Sequence, residues 1–160
     1  MLTIEKASSA PYYSRLARAD YWTKGGEPPG RWFGTPCKQF GLKGVVDPKI
    51  FQKLFDGRSP DGKRLVKNTR SKSKDPVNDF CFTAPKSVSI LFAMMPRRTR
   101  ALIQRLMRQA AEKTLTELEP EMIFTRRGAK GKKRVPGKMM AAIFEHASAR
   151  GKNPDVNLHL

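Results

Sequence analysis

The chain has 160 residues, among them 32 Lys or Arg and 14 Asp or Glu, so its formal net charge at pH 7 is +18. Such an excess of positive charge repels itself unless a polyanion lies against it. Nucleic acid is the commonest polyanionic partner, with acidic membrane surfaces and acidic proteins as alternatives. A hydrophobic fraction of 39% is enough for one modest core and excludes full disorder.

No stretch of the sequence predicts a membrane or secretory location. The apolar runs fall far short of the roughly 20 residues that cross a bilayer, so we expect no membrane insertion. The first residues lack the charged and apolar regions of a signal peptide. Cys37 and Cys81 are the only cysteines and lie far apart. This predicts neither a disulfide framework nor a zinc motif, and it is typical of the cytoplasm.

The first third of the chain predicts a strand, a helix, a loop and a second helix. Residues 1–6 alternate apolar and polar side chains, as a half-buried strand does. Residues 8–22 place Ser and Pro before apolar residues at helical spacing, which favours a helix. Residues 24–36 contain three Pro and four Gly and predict a loop. Residues 47–57 predict a helix that begins after Asp47 and ends at a C-capping glycine.

The middle of the chain predicts a basic surface segment, a strand and two helices. Residues 63–74 include six basic residues and no acidic ones, which predicts a mobile segment that contacts phosphates. Residues 78–83 alternate as a strand. Residues 86–95 and 97–118 predict helices. The apolar stripe of the second helix is expected to contain Leu102, Ile103, Leu106, Met107, Ala110, Leu115 and Leu118.

The last third predicts a loop followed by two strands. Residues 126–138 contain seven basic residues among Gly and Pro, and no acidic ones, so we expect a loop. Residues 138–147 predict a strand with Met140, Ala142, Phe144 and His146 on one face. Residues 156–160 begin another strand. Because the chain ends within it, we expect a fragment or a truncated reading frame, with a sheet incomplete at its C-terminal edge.

His146 and His159 are the two histidines of the chain, and they fall on the last two predicted strands. A hairpin would bring them side by side on one sheet face, where two imidazoles hold a divalent cation well. The alternative is that both are structural side chains with hydrogen-bond partners.

Tyr12, Tyr13 and Tyr21 are the three tyrosines and lie close together near the N-terminus. A tyrosyl oxygen can attack a phosphodiester and hold the phosphate covalently, provided that a cation polarises the phosphate and favours the phenolate. The alternative is that Tyr12 and Tyr13 cover one end of an amphipathic helix.

Asp79 lies on a predicted strand, where its carboxylate would orient an imidazole or accept a phenolic proton. Alternatively it sits at a strand edge without a role. Trp22 and Trp32 lie among Gly and Arg residues, which suits either stacking on unpaired bases or packing of the loop on the body.

Five segments in this order resemble the beginning of a MobF-type conjugative relaxase, the TrwC/TraI group of HUH endonucleases. They are the Tyr12-Tyr13 pair with Asp20-Tyr21, GEPPGRWFG at 26–34, FGLKGVVDPKIFQKLFDGRSPDGKRLV at 40–66, DFCFTAPKSVS at 79–89, and FEHASAR with a following Pro at 144–154. The resemblance runs through nearly the whole chain. It implies an α+β fold with a mainly antiparallel sheet and helices on one face.

The resemblance also implies roles for individual residues. Such relaxases nick one plasmid strand at the origin of transfer and stay joined to its 5′ phosphate. Tyr12 matches the nucleophile, with Tyr13 beside it. The family's second tyrosine pair corresponds to Tyr21-Trp22, so one of its hydroxyls is missing here. Asp79 matches the catalytic aspartate and Lys86 matches the lysine of the following segment.

The family's metal ligands are one histidine on a strand and two on the next. His146 matches the first, and an ungapped alignment puts Asn157 and His159 at the other two positions. An alternative alignment makes His159 the first of the pair, and its partner then lies beyond residue 160. An asparagine carbonyl ligates hard cations, so Mg²⁺ or Mn²⁺ is the expected ion.

The resemblance identifies residues 1–160 as the N-terminal part of a relaxase domain in the bacterial cytoplasm. We expect no helicase domain, because no Walker-type GxxxxGK[ST] motif occurs. The expected partners are single-stranded origin-of-transfer DNA, other relaxosome proteins and the conjugative secretion apparatus. The basic residues expected to contact DNA are Lys86, Arg126, Arg127, Lys130, Lys132, Lys133, Arg134 and Arg150.

Two competing hypotheses remain at this stage. The first is a DNA-binding module derived from a relaxase that cannot cut. The second is a basic ribosome- or RNA-associated protein, which explains the charge but leaves the five ordered segments unexplained.

Overall fold

The computed structural model describes residues 1–7, 10, 28–65, 77–148 and 154–160. Within these residues one antiparallel sheet has the strand order β1-β3-β7-β6-β2, and β4 and β5 form a separate hairpin. The strands are β1 (Leu2–Lys6), β2 (Arg31–Phe33), β3 (Asn78–Thr83), β4 (Phe124–Arg127), β5 (Lys133–Pro136), β6 (Ala141–Ser148) and β7 (Pro154–His159). The strands predicted at both ends of the chain and at 78–83 are confirmed.

Four helices occur in the described ranges, and none has both the length and the apolar character that a membrane span requires. They are α1 (Thr35–Gln39), α2 (Pro48–Phe55), α3 (Lys86–Met94) and α4 (Arg97–Met122), with a short 3₁₀ turn at Ala129–Gly131. The predictions for α2 and α3 are confirmed, and α4 continues past its predicted end. The helix predicted at 8–22 lies outside the described residues apart from Ala10, and so does the basic segment from residue 66 onward.

The two long helices, α3 and α4, cover one face of the sheet. Ala111 and Leu115 of α4 are almost fully buried, and Ala111 packs with Ile143 of β6 and Leu158 of β7. The predicted stripe is wrong in part, because Leu102 and Leu106 are 43% and 53% exposed. The face of a helix that becomes buried depends on its rotation over the sheet, which helical periodicity alone does not determine.

The opposite face of the sheet is covered in part by α2. Asp47 caps this helix, since its carboxylate accepts hydrogen bonds from the backbone N–H groups of Lys49 (2.8 Å) and Ile50 (3.0 Å). Phe51 then meets Phe144 of β6 edge to face, with ring centroids 5.2 Å apart. The predicted α+β architecture is therefore present, but helices lie on both faces of the sheet and not on one.

The Pro- and Gly-rich segment predicted as a loop contains β2 and α1. A three-residue strand has no detectable periodicity, and β2 exists because it pairs with β6, with Arg31 opposite Ile143. Gly34 follows β2 at φ 101°, and a Cβ atom there would lie 2.1 Å from the Met139 carbonyl oxygen. Glycine is required at this position because no other residue allows so close an approach.

The last strand lies in the middle of the sheet and not at an edge. β7 pairs with β3 on one side and with β6 on the other. Leu160 continues the pairing, since its N–H donates to the Phe80 carbonyl (3.1 Å) and its carbonyl accepts from the Phe80 N–H (2.9 Å). The residues of β7 are thus held by both neighbouring strands, which makes their positions rigid.

Candidate metal centre on the central strands

Strand pairing brings the predicted metal ligands onto one face of the sheet. His146 of β6 lies directly opposite Asn157 of β7, and Cys81 of β3 lies opposite His159. Side chains alternate along a strand, so Asp79 also faces this side. The register places His146, Asn157 and His159 on one face, and their assignment as ligands stays a prediction.

Asp79 holds the ring of His159. The Nδ1–H group of His159 donates to the two carboxylate oxygens of Asp79, at 2.8 Å and 3.1 Å, and both side chains are largely buried. Burial lowers the pKa of His159, but its hydrogen bonds to Asp79 and with Cys81 outweigh this effect and raise the pKa to about 10. A cation would therefore compete with a proton for Nε2, the ring nitrogen that Asp79 does not occupy.

His146 lies beside His159, but its imidazole is neutral where that of His159 is protonated. Its ring centroid is 4.9 Å from that of His159, and the two planes are nearly perpendicular. Burial, followed by the positive charge of His159, lowers the pKa of His146 to about 4, so the imidazole is neutral at pH 7. The residue is 6% exposed, and its buried Nε2 atom makes no hydrogen bond. A buried, neutral imidazole nitrogen without a partner is typical of a metal ligand.

The residues present fit a divalent cation. The arrangement offers an unpartnered imidazole nitrogen of His146, a second imidazole oriented by a carboxylate, and the amide of Asn157 opposite His146. In the part of the chain that the structure describes, no three His, Cys, Asp or Glu side chains are already gathered around one point. Binding of an ion therefore requires these side chains to move.

Cys81 also faces this centre, and the sequence analysis did not include it among the site residues. Its Sγ atom lies 3.9 Å from Nε2 of His159 and 3.5 Å from Oγ1 of Thr83. The hydrogen bond with His159 lowers the pKa of the thiol, against the effect of burial. The sequence could have indicated this, because Cys81 lies two residues after Asp79 on a predicted strand and that spacing places both side chains on one face.

A cavity opens beside the centre, at the end of β7. It has a volume of about 320 Å³, and Asp79 and His159 contribute to its lining. Aromatic side chains line the side toward α2, among them Trp32, Phe51 and Phe144. The space is large enough for part of a nucleotide, and its polar lining consists of Asp79 and His159 together with Asn78 and Lys138.

Several predicted site residues lie outside the described residues. These are Tyr12, Tyr13, Tyr21, Trp22 and Arg150. Their predicted roles remain predictions. Lys86 is described and is exposed at the start of α3, three residues beyond Thr83 at the end of β3.

The basic segment predicted as a loop is an exposed hairpin. β4 and β5 pair with Arg126 opposite Arg134 and Arg127 opposite Lys133. Like charges directly opposite each other are unfavourable in a hairpin. Phe124 partly offsets this, because the guanidinium carbon of Arg134 lies 3.7 Å from its ring centroid. The prediction of a loop was wrong. The two strands are short, and their many basic residues hide the alternation of apolar and polar side chains that would indicate a strand.

We compared the chain with known proteins. The family model for the TrwC relaxase matches residues 6–160. A multifunctional conjugation protein TraI of Escherichia coli is 29% identical over 141 residues, which is 81% of this chain and 7% of that protein. The TraI protein of Escherichia coli strain K12 is 29% identical over 140 residues, with the same coverage of both chains. The chain thus spans a small part of these curated relatives.

Solved structures of the conjugative relaxase TrwC have the same fold. A copper-bound complex of TrwC with oriT DNA has a TM-score of 0.78 at 27% identity and covers 99% of this chain and 56% of that one. A metal-bound complex with oriT DNA has a TM-score of 0.76 at 26% identity, with 99% and 55% coverage. The chain spans about half the length of these structures. Since the family model matches almost the entire sequence, this chain belongs to the TrwC relaxase family.

Proposed function

We propose that this chain binds single-stranded origin-of-transfer DNA and nicks it by metal-assisted tyrosine transesterification. The observation that carries the proposal is the arrangement of Asp79, His159 and His146. The carboxylate lies 2.8 Å from one imidazole, and the second imidazole, 4.9 Å away between ring centroids, leaves a buried nitrogen without a hydrogen bond. Family membership supports the same activity.

His146, His159 and Asn157 would hold the divalent cation. When bound, the cation neutralises charge on the non-bridging oxygens of the scissile phosphate. Asp79 acts as a positioning residue, because its carboxylate fixes the ring of His159 with Nε2 directed away from Nδ1. Asp79 is thereby assigned to orienting a ligand, one of the two roles expected from the sequence.

Tyr12 is the proposed nucleophile. Its phenolic oxygen releases its proton to solvent and attacks the phosphorus in line, so that the bond to the 3′ oxygen of the neighbouring nucleotide breaks. The released 3′ oxygen takes up a proton from solvent and becomes a hydroxyl group. The 5′ phosphate stays on Tyr12 as a phosphotyrosine, so the energy of the phosphodiester bond is conserved for rejoining. Tyr13 and Tyr21 are the proposed auxiliary tyrosines.

The basic side chains would hold the DNA. The net charge of +18 and the exposed basic side chains of the hairpin favour contacts to phosphates, and such contacts are strongly salt-dependent. The related TrwC structures support this, since one of them contains a 27-mer DNA with the recognition hairpin and the cleavage site. We propose the same class of partner here, together with relaxosome proteins and the secretion apparatus in a bacterial cytoplasm.

The test uses the full chain with a single-stranded oligonucleotide that spans the transfer origin of its own plasmid. With Mg²⁺ or Mn²⁺ present, we expect a covalent protein–DNA adduct that survives denaturant. Tyr12→Phe should abolish the adduct because the attacking oxygen is lost, whereas the matched control Tyr13→Phe should retain part of it. An adduct of undiminished yield with Tyr12→Phe contradicts the assignment of the nucleophile.

A second candidate function is that of a DNA-binding module that does not cut. The observation in its favour is Asn157, an amide in a position where an imidazole would bind a cation more strongly. In the same experiment this function predicts salt-sensitive binding of the oligonucleotide and no adduct with any divalent cation.

A further inference from the structure

Strands β3 and β6 both extend past the point at which their pairing with β7 stops. Beyond Leu160, β3 extends through Asp79 and Asn78, and β6 extends through Ala142 and Ala141, with no strand between them in the described residues. We propose that this gap is a binding position for an extended segment of another polypeptide, which adds a strand between β3 and β6. The inference does not depend on DNA cleavage.

The cavity beside the candidate metal centre includes this gap. Its volume is about 320 Å³, and its lining includes Asn78 and Asp79 of β3, Ala141 and Ala142 of β6, and Leu160. Neighbouring strands lie about 4.8 Å apart, so two strands with one strand between them lie about 9.6 Å apart. Because β3 and β6 flank β7 up to Leu160, the space beyond it has the width of one further strand.

The backbone of Asn78 points into the gap. Along an antiparallel strand, successive residues direct their N–H and C=O groups to opposite sides. On β3, the Thr83 N–H and the Val77 C=O bond to the two residues that flank β1, whereas both groups of Phe80 bond to Leu160. Asn78 lies two residues from Phe80, so its N–H and C=O point to the same side, beyond Leu160.

The backbone of Ala142 points into the gap from the other side. The bonds of Leu160 and of the Val156 carbonyl go to β3 and the residue after it, so His159 bonds to β6, where its partner is Phe144. Ala142 lies two residues before Phe144 and points the same way. It is 7% exposed, and the described strands offer its N–H and C=O no partner. Buried backbone groups without a partner are rare in folded proteins.

The two strand positions in the gap have different surroundings. The first lies between Asp79 and Ala142 on the α2 face, where the carboxylate can accept a hydrogen bond from a hydroxyl group. The second points toward α4, where Leu115, Ile123 and Met139 line the cavity. Main-chain pairing supplies affinity for an added strand, and alternate side chains supply specificity. The expected ligand is therefore an extended peptide that begins with threonine followed by isoleucine, both of which favour strands.

Synthetic peptides test the proposal on the full chain without metal or DNA. The probe is an acetylated and amidated peptide with the sequence Thr-Ile-Thr-Val-Lys, and calorimetry should show that it binds at one site. One control exchanges the first two residues, which turns isoleucine toward Asp79. The other is N-methylated at isoleucine, which removes the donor to the Asn78 carbonyl. Each control should bind about tenfold more weakly or worse.

Amide hydrogen exchange measured by NMR locates the bound peptide. Saturating probe should slow exchange of the Asn78 and Ala142 N–H groups roughly tenfold or more, with no change at Arg126 of the β4–β5 hairpin. No binding at millimolar peptide, equal binding of the N-methylated control, or protection elsewhere would each overturn the proposal.

Two other occupants of the gap would give different results. Protection of the same two amides at high protein concentration without peptide would identify a second copy of the chain as the occupant. Displacement of the peptide by a mononucleotide would identify a nucleotide site. Either result would overturn the proposed partner. DNA cleavage is assayed separately, so a failure of peptide binding leaves the proposed function unaffected.

Discussion

The central strands and the β4–β5 hairpin use charged side chains in opposite ways. On β3 and β6 the carboxylates of Asp79 and Glu145 are largely buried, and each has a defined partner, His159 and Arg108 respectively. On the hairpin, Arg126 faces Arg134 and Arg127 faces Lys133, and all four are exposed. A buried charge requires one particular partner, because leaving it unpaired costs free energy. Exposed charges are screened by solvent and salt, so one can replace another.

The difference indicates two kinds of function in one chain. The central strands can fix individual atoms for chemistry, since their neighbours hold them on both sides. The hairpin can attract a polyanion along its length but cannot distinguish one phosphate from the next. Substitutions in both regions test this contrast, and we expect single changes to matter much more on the central strands than on the hairpin.

The largest effect is expected from Glu145→Ala. Glu145 forms a largely buried ion pair with Arg108 of α4, so the substitution leaves the guanidinium without its partner. We expect the free energy of unfolding to fall by about 3 kcal/mol, measured by urea denaturation. Replacing both residues by leucine should restore most of the stability, because a well-packed apolar pair is an adequate substitute. A loss in the double variant as large as in Glu145→Ala would show that the ion pair itself is essential.

Asp79→Asn is expected to have an intermediate effect. The neutral amide no longer stabilises a protonated His159, so the pKa of that imidazole should fall from about 10 toward its usual value, as followed by NMR titration. The raised pKa stabilises the metal-free fold below about pH 6.5, and this contribution is lost as pH rises toward 10. The variant should lack that stabilisation, and its affinity for Mn²⁺ should drop roughly ten- to a hundredfold, measured by calorimetry.

A matched control for this substitution is Asp61→Asn. Asp61 is an exposed residue that pairs with Lys63 in the segment after α2. The control should leave both the His159 titration and the affinity for Mn²⁺ unchanged. An Asp79→Asn variant indistinguishable from the control would mean that the carboxylate does not orient the metal ligand.

The smallest effects are expected on the hairpin. Lys133→Ala removes one exposed cation, so affinity for a single-stranded oligonucleotide should fall modestly and the slope of log Kd against log salt should change by about 0.7. Arg127→Ala, directly opposite, should behave in the same way. A change in cleavage position or sequence preference with either variant would contradict the view that these charges are interchangeable.

The sequence analysis identified most elements of the sheet and most residues of the candidate centre. Alternation at 78–83 and 138–147 was sufficient to place Asp79 and His146 on strands, because one buried face imposes a period of two. Asn157 and His159 share a sheet face with His146, and their assignment as metal ligands stays a prediction. The elements that were missed are β2, α1 and the β4–β5 hairpin. These are short, and their existence depends on pairing with other segments or on local turns.

Charge, length and strand periodicity belong to the sequence by itself, and they were enough to indicate a basic α+β protein whose two histidines share a sheet face. Only the tertiary structure decided that β7 lies between β3 and β6, that α2 covers the face opposite α4, and that Cys81 stands 3.9 Å from His159. Contacts between residues 78 positions apart arise from strand order and register. These are properties of the whole packed sheet and not of any local pattern.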